Sequence, residues 1–444
     1  MKKLFLLFAL LLGANAAMAH DVEVDGIFYD LYYFKKVAYV TYKGDFYDSF
    51  ENEYTGTVVI PESITVDGVD YSVTSLGARC FDRCSGLTAI TIPKSVTKLE
   101  NNCFYRCSGL TAITIPKSVT KLGNNCFTAC SGLESIVVES GNTVYDSRED
   151  CNAIIETATN TMITGCRNTK IPNSVTSLGD YCFFYCTGLT SIAIPNSVTS
   201  LGDRCFAGCS YGLESIVVES GNTVYDSRED CNAIIETATN TMITGCKNTK
   251  IPNSVTSLGY ECFFYCTGLT SIAIPNSVTS LGDWCFSYCT GLTSITIPNS
   301  VTEMGYQCMS CCNNLTSITI PNSVTNMIAH CFYGNTVMTE AHINRETPPS
   351  LRSGYKNNGD PFIGCPAFQT IYVPRGASAN YDRSPWNAYK IVEEDVQSGI
   401  TAVMAEGEAT APVYHLNGRR AGTTENLSAM PKGIYIANGK KVLR

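Results

Sequence analysis

The sequence has few charged residues, few histidines and few tryptophans, and these shortages exclude several classes of protein. Only 16% of its 444 residues are charged and the net charge is −9, whereas nucleic-acid binding needs clustered Lys and Arg to contact phosphates. The four histidines, at positions 20, 330, 342 and 415, follow no pattern. We therefore expect no nucleic-acid partner and no histidine-based metal centre.

Motifs for catalysis and cofactor binding are also missing. The sequence has no Gly-x-Ser-x-Gly nucleophile motif, no glycine-rich phosphate loop and no ordered calcium-binding loop. The acidic pairs Glu149-Asp150 and Glu229-Asp230 could act as acid and base on a glycan, but a solvated turn is the favoured interpretation. The sequence therefore predicts a protein that is not an enzyme and has no cofactor or metal.

Only one long apolar run is present, and it lies at the N-terminus. Lys2-Lys3 precede the run Leu4 to Leu12, and small residues ending in Ala19 follow it. This order is typical of a secretory signal peptide over residues 1–19, and the run is too short to span a bilayer. We expect export to the medium or the outer cell surface, without a transmembrane segment.

A repeated phrase of 23 residues fills the middle of the chain. Ile92-Pro93 is followed one period later by Ile115-Pro116, and the phrase returns several more times, at Pro172, Pro195, Pro252, Pro275, Pro298 and Pro321. Such a period predicts a solenoid of stacked units. In each unit, Leu-Thr-Ser-Ile-x-Ile-Pro should form a strand with both Ile residues inward, and Cys-Phe-x-x-Cys a helical turn. The predicted fold class is a β-rich α/β solenoid with β-rich caps.

The period also defines a domain organisation. Two identical segments, 134–166 and 214–246, interrupt it, and each is interpreted as a variant repeat plus a hairpin. The predicted units are listed in chain order: signal peptide 1–19, N-terminal β cap 20–59, solenoid 60–335, C-terminal cap 336–392, linker 393–399 and a small β module 400–444.

The 23 cysteines recur mostly as pairs such as Cys103 and Cys107, beside core positions such as Phe104. Free Cys is among the most buried residue types, so a packed column of thiols is the favoured interpretation. Disulfides and metal sites are the alternatives, since export permits disulfides. The best candidates for disulfides within a segment are Cys151 with Cys166 and Cys231 with Cys246.

The unit resembles a leucine-rich repeat, with the skeleton Leu110-x-x-Ile113-x-Ile115. Its closing Pro, its Ile-Pro-x-Ser-Val-Thr phrase and its Phe-x-x-Cys ending resemble the BspA-like repeats of secreted bacterial proteins. The segment from Thr347 to Trp386 resembles the C-terminal cap of that family. The resemblance implies a surface location and adhesion-like binding, and it supplies no catalytic residue.

The last 45 or so residues resemble the C-terminal sorting module of type IX secretion in Bacteroidetes. The similarity lies in Tyr414-His-Leu-Asn-Gly418 and in the Gly-Ile-Tyr-Ile sequence that begins at Gly433. It implies export to the surface of a bacterium of that group.

Aromatic residues beside the Cys pairs are the candidate binding surface. The outward strand positions, such as Ala112 and Thr114, are small and neutral, whereas four aromatic side chains lie in or beside the Cys-Phe-x-x-Cys phrases: Tyr185, Tyr265, Trp284 and Tyr288. We expect non-catalytic binding to host extracellular-matrix or cell-surface proteins. The alternatives are a glycan-binding accessory module and a structural spacer.

Overall fold

The computed structural model describes residues 20–44, 46, 48, 52–352, 359–383 and 385–395, and the backbone of four strands within 412–443. The predicted signal peptide, most of the predicted linker and much of the last module lie outside the described residues. Within them, the structure consists of strands, turns and short 3-10 helices, without an α-helix. The helical part of the predicted fold class is therefore wrong. The 3-10 helices are Arg148–Asp150, Cys209–Tyr211, Arg228–Asp230, Ser378–Tyr381 and Trp386–Ala388.

The described chain begins with an antiparallel sheet in which successive strands pair as a meander. Its third strand, Val37–Thr41, then pairs in parallel with Val69–Leu76, which joins the repeat sheet through Lys98–Leu99. Apolar side chains of this segment, such as those of Tyr29 and Val40, belong to the same core cluster as the first repeats. Its strands are Val22–Val24, Ile27–Tyr32, Val37–Thr41, Ser63–Val66 and Val69–Leu76.

Most repeats contain a longer strand, which we call the Ile strand. Ile113 and Ile115 are buried while Ala112 and Thr114 are exposed, as the two-residue period of a strand requires. The inward orientation predicted for both Ile residues is therefore confirmed there. The Ile strands and the strands that continue them at both ends of the array are Gly56–Val59, Leu87–Thr91, Ala112–Ile115, Ser135–Val138, Ser191–Ile194, Ser215–Val218, Ser317–Ile320, Glu340–Ile343, Thr370–Pro374 and Lys390–Glu394.

A second, shorter strand around the inward Leu of the Val-Thr-x-Leu phrase forms another parallel ladder. Lys98 lies opposite Lys121, and Ser257 lies opposite Ser280, so the register advances by one repeat at each step. These strands are Lys98–Leu99, Lys121–Leu122, Ser177–Leu178, Ser200–Leu201, Ser257–Leu258, Ser280–Leu281, Glu303–Met304, Asn326–Ile328 and Ser350–Arg352.

The Cys-Phe-x-x-Cys phrase forms a chain of tight turns rather than the predicted helical turn. Asn102 and Arg106 have φ values of 57° and 61°, and such left-handed residues cannot continue a right-handed helix. Three amides of the turn, those of Asn102, Phe104 and Arg106, donate to carbonyls of the next turn at 2.9–3.0 Å. We call this set of hydrogen bonds the turn ladder.

The core lies between the Ile strands and the turn ladder. Successive Phe rings stack, with centroids of Phe81 and Phe104 5.2 Å apart and those of Phe104 and Phe127 5.3 Å apart. The buried residues fall into three clusters, which meet near the two variant segments. Each cluster therefore spans several repeats but not the whole array.

Each variant segment forms a small antiparallel sheet whose last strand pairs in parallel with the short strand of the next repeat, and the hairpin predicted there is present. Gly165 at the end of its last strand donates to the Cys182 carbonyl at 3.0 Å, the bond that a Phe amide makes in a regular turn. It also provides the space into which the Phe183 ring packs. The strands are Tyr145–Asp146, Ala153–Glu156 and Thr161–Gly165, and in the second copy Tyr225–Asp226, Ala233–Glu236 and Thr241–Gly245.

Beyond the repeats, Tyr381 and Trp386 are buried and belong to the last core cluster. The final module has four antiparallel strands arranged as two hairpins and joined through their inner pair. They are Pro412–His415, Arg420–Thr423, Ile434–Ala437 and Lys440–Leu443.

Candidate binding face

All 23 cysteines are free thiols, and all except Cys311 are buried. The candidate pairs Cys151 with Cys166 and Cys231 with Cys246 are not bridged. Burial raises the pKa of the Cys103 thiol well above its ordinary value, with the thiol of Cys126 in the next unit as a further cause. The structure thus agrees with a packed column of protonated thiols.

The second cysteine of several pairs has a structural role that the sequence does not reveal. The Cys107 thiol lies 3.0 Å from the Phe81 carbonyl oxygen, and the Cys130 thiol lies 3.0 Å from that of Phe104. Asn335 occupies the equivalent position in a later unit, where its Nδ2 donates to the Met309 carbonyl at 2.9 Å. The position therefore requires a small hydrogen-bond donor that satisfies a buried carbonyl group.

Within the described residues, no group of three or more His, Cys, Asp or Glu side chains is placed to hold a metal ion. In the same part of the chain, no helix is long and apolar enough to cross a membrane.

The structure brings three of the four candidate aromatic residues together. The ring centroids of Tyr185 and Tyr265 are 5.1 Å apart, and those of Tyr265 and Tyr288 are 5.0 Å apart. Phe264 packs against Tyr288 at 5.8 Å. We call Tyr185, Tyr265 and Tyr288 the tyrosine row. Tyr288 is 38% exposed, while the other two are half-buried, so the row presents a partly open aromatic surface.

The tyrosine row follows from the backbone of the turns. Each of its members has a left-handed φ, between 52° and 62°, and precedes the second Cys of its unit. Gly208 holds the same position in the unit between Tyr185 and Tyr265, and a Cβ there would lie 3.0 Å from the Tyr185 ring. The missing side chain is therefore what allows these two tyrosines to meet. Burial raises the pKa of Tyr185 above its ordinary value, and the neighbouring tyrosines add to the effect.

Trp284 is not part of the tyrosine row, because it precedes the first Cys of its unit and lies at the other end of the turn. It packs against Tyr260 and Tyr306 at centroid distances of 5.5 and 5.3 Å. The guanidinium of Arg204 lies 5.6 Å from its ring. Trp284 thus belongs to a second group of side chains, which sequence reasoning missed.

This second group contains an ion pair whose carboxylate is buried. Arg204 Nε lies 2.9 Å from Glu261 Oε1, and the Glu261 side chain is only 6% exposed. Burial raises the pKa of Glu261, while the Arg204 charge opposes that shift. Burial likewise raises the pKa of Tyr260 to about 12. The group combines a carboxylate, a guanidinium and three aromatic rings at the end of the turn opposite the tyrosine row.

A groove of about 420 Å³ extends the tyrosine row toward the N-terminus. Arg83 and Arg106 line it together with Tyr185, and both arginines are exposed. Hydroxyl side chains complete its wall, namely Ser85, Ser108, Ser131 and Thr187. The face of the turns therefore changes from basic and hydroxyl-rich to aromatic along the array.

The strand face carries a different groove, of about 650 Å³, near the end of the array. His342 lines it and lies 2.7 Å from Glu394 through its Nδ1. Its ring stacks on Tyr372 at 4.7 Å. These groups come from separate strands, so their proximity could not be predicted from the repeat phrase.

Sequence comparison identifies the repeat family. The family model of the BspA-type leucine-rich repeat region matches the chain in six copies, over residues 48–164, 162–231 and 241–349. The chain belongs to the BspA-type leucine-rich repeat family. Its fold is accordingly a β-dominated leucine-rich repeat fold. No curated protein matches the chain.

Solved structures similar to this BspA-type chain include several bacterial leucine-rich repeat proteins. A leucine-rich cell surface protein from Faecalibacterium prausnitzii A2-165 is 24% identical, with 83% of this chain and 97% of that one covered and a TM-score of 0.49. The pneumococcal vaccine antigen PcpA is 17% identical, with coverage of 84% and 98% and a TM-score of 0.45. A leucine-rich repeat protein from Bacteroides ovatus ATCC 8483 is 20% identical, with coverage of 85% and 100% and a TM-score of 0.34.

The duplicated block of this BspA-type chain shows where its surface varies. Residues 134–208 and 214–288 differ at six positions, and five of these lie in or beside the turns. The exposed Ile-strand positions, such as Ser191 and Ala193, are identical in the second copy. Variation between the copies is therefore concentrated on the face of the turns. The five pairs are Asp180/Tyr260, Tyr181/Glu261, Arg204/Trp284, Ala207/Ser287 and Gly208/Tyr288.

Proposed function

We propose that the protein is a secreted or cell-surface, non-enzymatic binding protein that attaches to host extracellular-matrix or cell-surface proteins through the face of its turns. The observation that carries the proposal is the tyrosine row. Tyr is enriched at protein interfaces because it combines a large apolar ring with a hydroxyl group. The divergence of the two copies on this face, but not on the strand face, supports the same choice.

The proposed binding is made by many repeated units that act together. Stacking of 23-residue units into a solenoid is supported by the register of the short strands, in which Ser257, Ser280 and Glu303 lie side by side. Weak contacts made by successive units would add, because after the first contact each further one forms within the same complex. The caps at 20–59 and 336–392 would protect the apolar ends of the array.

Export and attachment complete the proposal. We infer that residues 1–19 are removed as a signal peptide and that residues 400–444 form a sorting module of the type IX kind, in a bacterium related to the Bacteroidetes. Two antiparallel hairpins in the last module support a separate β unit there. The linker 393–399 would join it to the array.

The test compares two faces of the same protein. The double variant Tyr265→Ala/Tyr288→Ala and the strand-face variant Thr114→Ala are measured for saturable binding to immobilised matrix proteins, mucin and cultured epithelial cells. Loss of at least tenfold in affinity only in the double variant supports the proposal. Equal binding by both variants, or no saturable binding by the parent protein, contradicts it and favours a structural spacer.

A further inference from the structure

Breaks in the turn ladder create a second kind of site. In regular units, the amides of the turn donate forward, as Phe104 does to Cys126 and Phe286 does to Cys308. The variant segment interrupts this order, because its last strand stands where the next turn would be. Among the described residues, the amides of Asn125 and Phe127 have no acceptor on the protein, although Ala129 still donates to Phe184.

These two amides border a cavity of about 380 Å³ beneath the hairpin. The equivalent amides of Asn102 and Phe104 donate toward the following unit, so those of Asn125 and Phe127 are directed into the break. Phe127 is only 6% exposed, and an unsatisfied buried amide costs about 1–3 kcal/mol. The cavity is thus built around two parallel donors that need acceptor atoms from a ligand or from water.

The other walls supply complementary groups. Asn124, Thr128 and Tyr181 add side-chain donors, and the carboxylates of Glu156 and Asp180 are acceptors. Glu156 also accepts from Thr159 at 2.6 Å, and Asp180 accepts the Asp203 amide at 2.8 Å, so both carboxylates are held in place.

We propose that this cavity binds a single neutral sugar residue, such as the end of an uncharged glycan. A sugar presents both hydroxyl donors and oxygen acceptors, which match the carboxylates and amides respectively. The volume lies within the range of about 300–1,000 Å³ that is usual for small-ligand sites. Two carboxylates and no Lys or Arg in the lining disfavour an anionic sugar.

The second copy provides an internal comparison. Its cavity shares part of the hairpin wall, with Ile243 and Thr244 in place of Ile163 and Thr164, but has a volume of only about 190 Å³. The facing residues differ. Arg204 stands where the first cavity has Asn125, and Glu261 stands where it has Tyr181, so an ion pair replaces two neutral side chains. The second cavity is therefore smaller and charged, and it should not bind the same sugar.

The experiment titrates the full-length protein with a panel of free monosaccharides. Galactose, mannose, glucose and N-acetylglucosamine are the neutral probes, and N-acetylneuraminic and glucuronic acids are the anionic ones, with binding followed by saturation-transfer NMR and calorimetry. We expect saturable millimolar binding of at least one neutral sugar and none of the acids. No saturable binding of any neutral sugar would overturn the proposal and leave a hydrated cavity.

Variants locate the site. Tyr181→Glu gives the first block the residue that the second block has at the equivalent position, Glu261. This variant should weaken sugar binding at least tenfold. The same change at the exposed Tyr211 should leave sugar binding unaltered. Because Glu occupies this turn position naturally in the second copy, the variant should fold, and circular dichroism checks that it does. Unchanged binding by Tyr181→Glu refutes the assignment. The tyrosine-row variant should retain sugar binding, so failure of the site and failure of the proposed function are distinguishable.

Discussion

Replacement of Gly245 by Ala should destabilise the last third of the array. A Cβ at this position would lie 2.6 Å from Cζ of Phe263 and closer still to its Cε1, whereas carbon atoms in contact prefer about 3.5–4.0 Å. Phe263 is fully buried and stacks on Phe286 at 5.1 Å, so its ring cannot move aside without disturbing the stack. Overpacking of this kind costs about 1–3 kcal/mol.

The matched control is Gly268→Ala, whose new Cβ would meet only the flexible Lys247 side chain, at 3.0 Å from its Cδ. Neither glycine has a positive φ, so the two variants share the same change in backbone entropy. Urea denaturation is followed by the fluorescence of Trp284 and Trp386, the two tryptophans of the chain, which follow Gly245. Gly245→Ala should lower the midpoint and Gly268→Ala should not. Equal midpoints for the two variants would refute the packing argument.

Three further predictions concern the thiols, the turn and the N-terminal sheet. A thiol reagent should modify Cys311 first in the native protein and all 23 cysteines after denaturation, because burial protects the rest and keeps them protonated; simultaneous reaction of many native thiols would contradict this. Asn335→Ala should lower the free energy of unfolding by about 1–3 kcal/mol, since it leaves the Met309 carbonyl unpaired, and Asn335→Cys should recover part of the loss in the same denaturation assay. Burial, with the Asp21 charge as a second cause, raises the pKa of Asp30 from 3.8 to about 6. The contribution of Asp30 to folding stability is therefore fully present below its unfolded pKa of 3.8 and is lost as the pH rises through its folded pKa of about 6. Asp30→Asn should therefore flatten the decline in stability across that pH interval, as measured by urea titrations at several pH values.

The repeat phrase predicted the Ile strand of most repeats, although the same phrase at 269–275 and 292–298 forms only the isolated bridge between Ala273 and Thr296. Ile113 and Ile115 alternate with small exposed residues, and on a pleated strand only one register directs both Ile side chains into the core. The turns were harder, because Cys at i and i+4 also fits a helix. Only the backbone shows that Asn102 and Arg106 adopt left-handed φ values, which stop a helix from forming.

The sequence placed the four candidate aromatic residues in or beside the Cys-Phe-x-x-Cys phrases but did not show which of them meet. Tyr265 and Tyr288 share one turn position and therefore meet, whereas Trp284 lies four residues before Tyr288 and faces another group. The cavity beside the first hairpin had no sequence signal, because its defining groups are the main-chain amides of Asn125 and Phe127. Their lack of partners depends on the hairpin that follows, not on their own side chains.

The three-part core has a mechanical consequence. The buried residues form separate clusters that meet near the two variant segments. When such an array is pulled from one end, each cluster should yield as a unit, because units cooperate with their neighbours and less across a boundary. Extension would then proceed in three steps and lengthen the molecule gradually. A chain tethered to a moving cell would retain part of its folded surface under load.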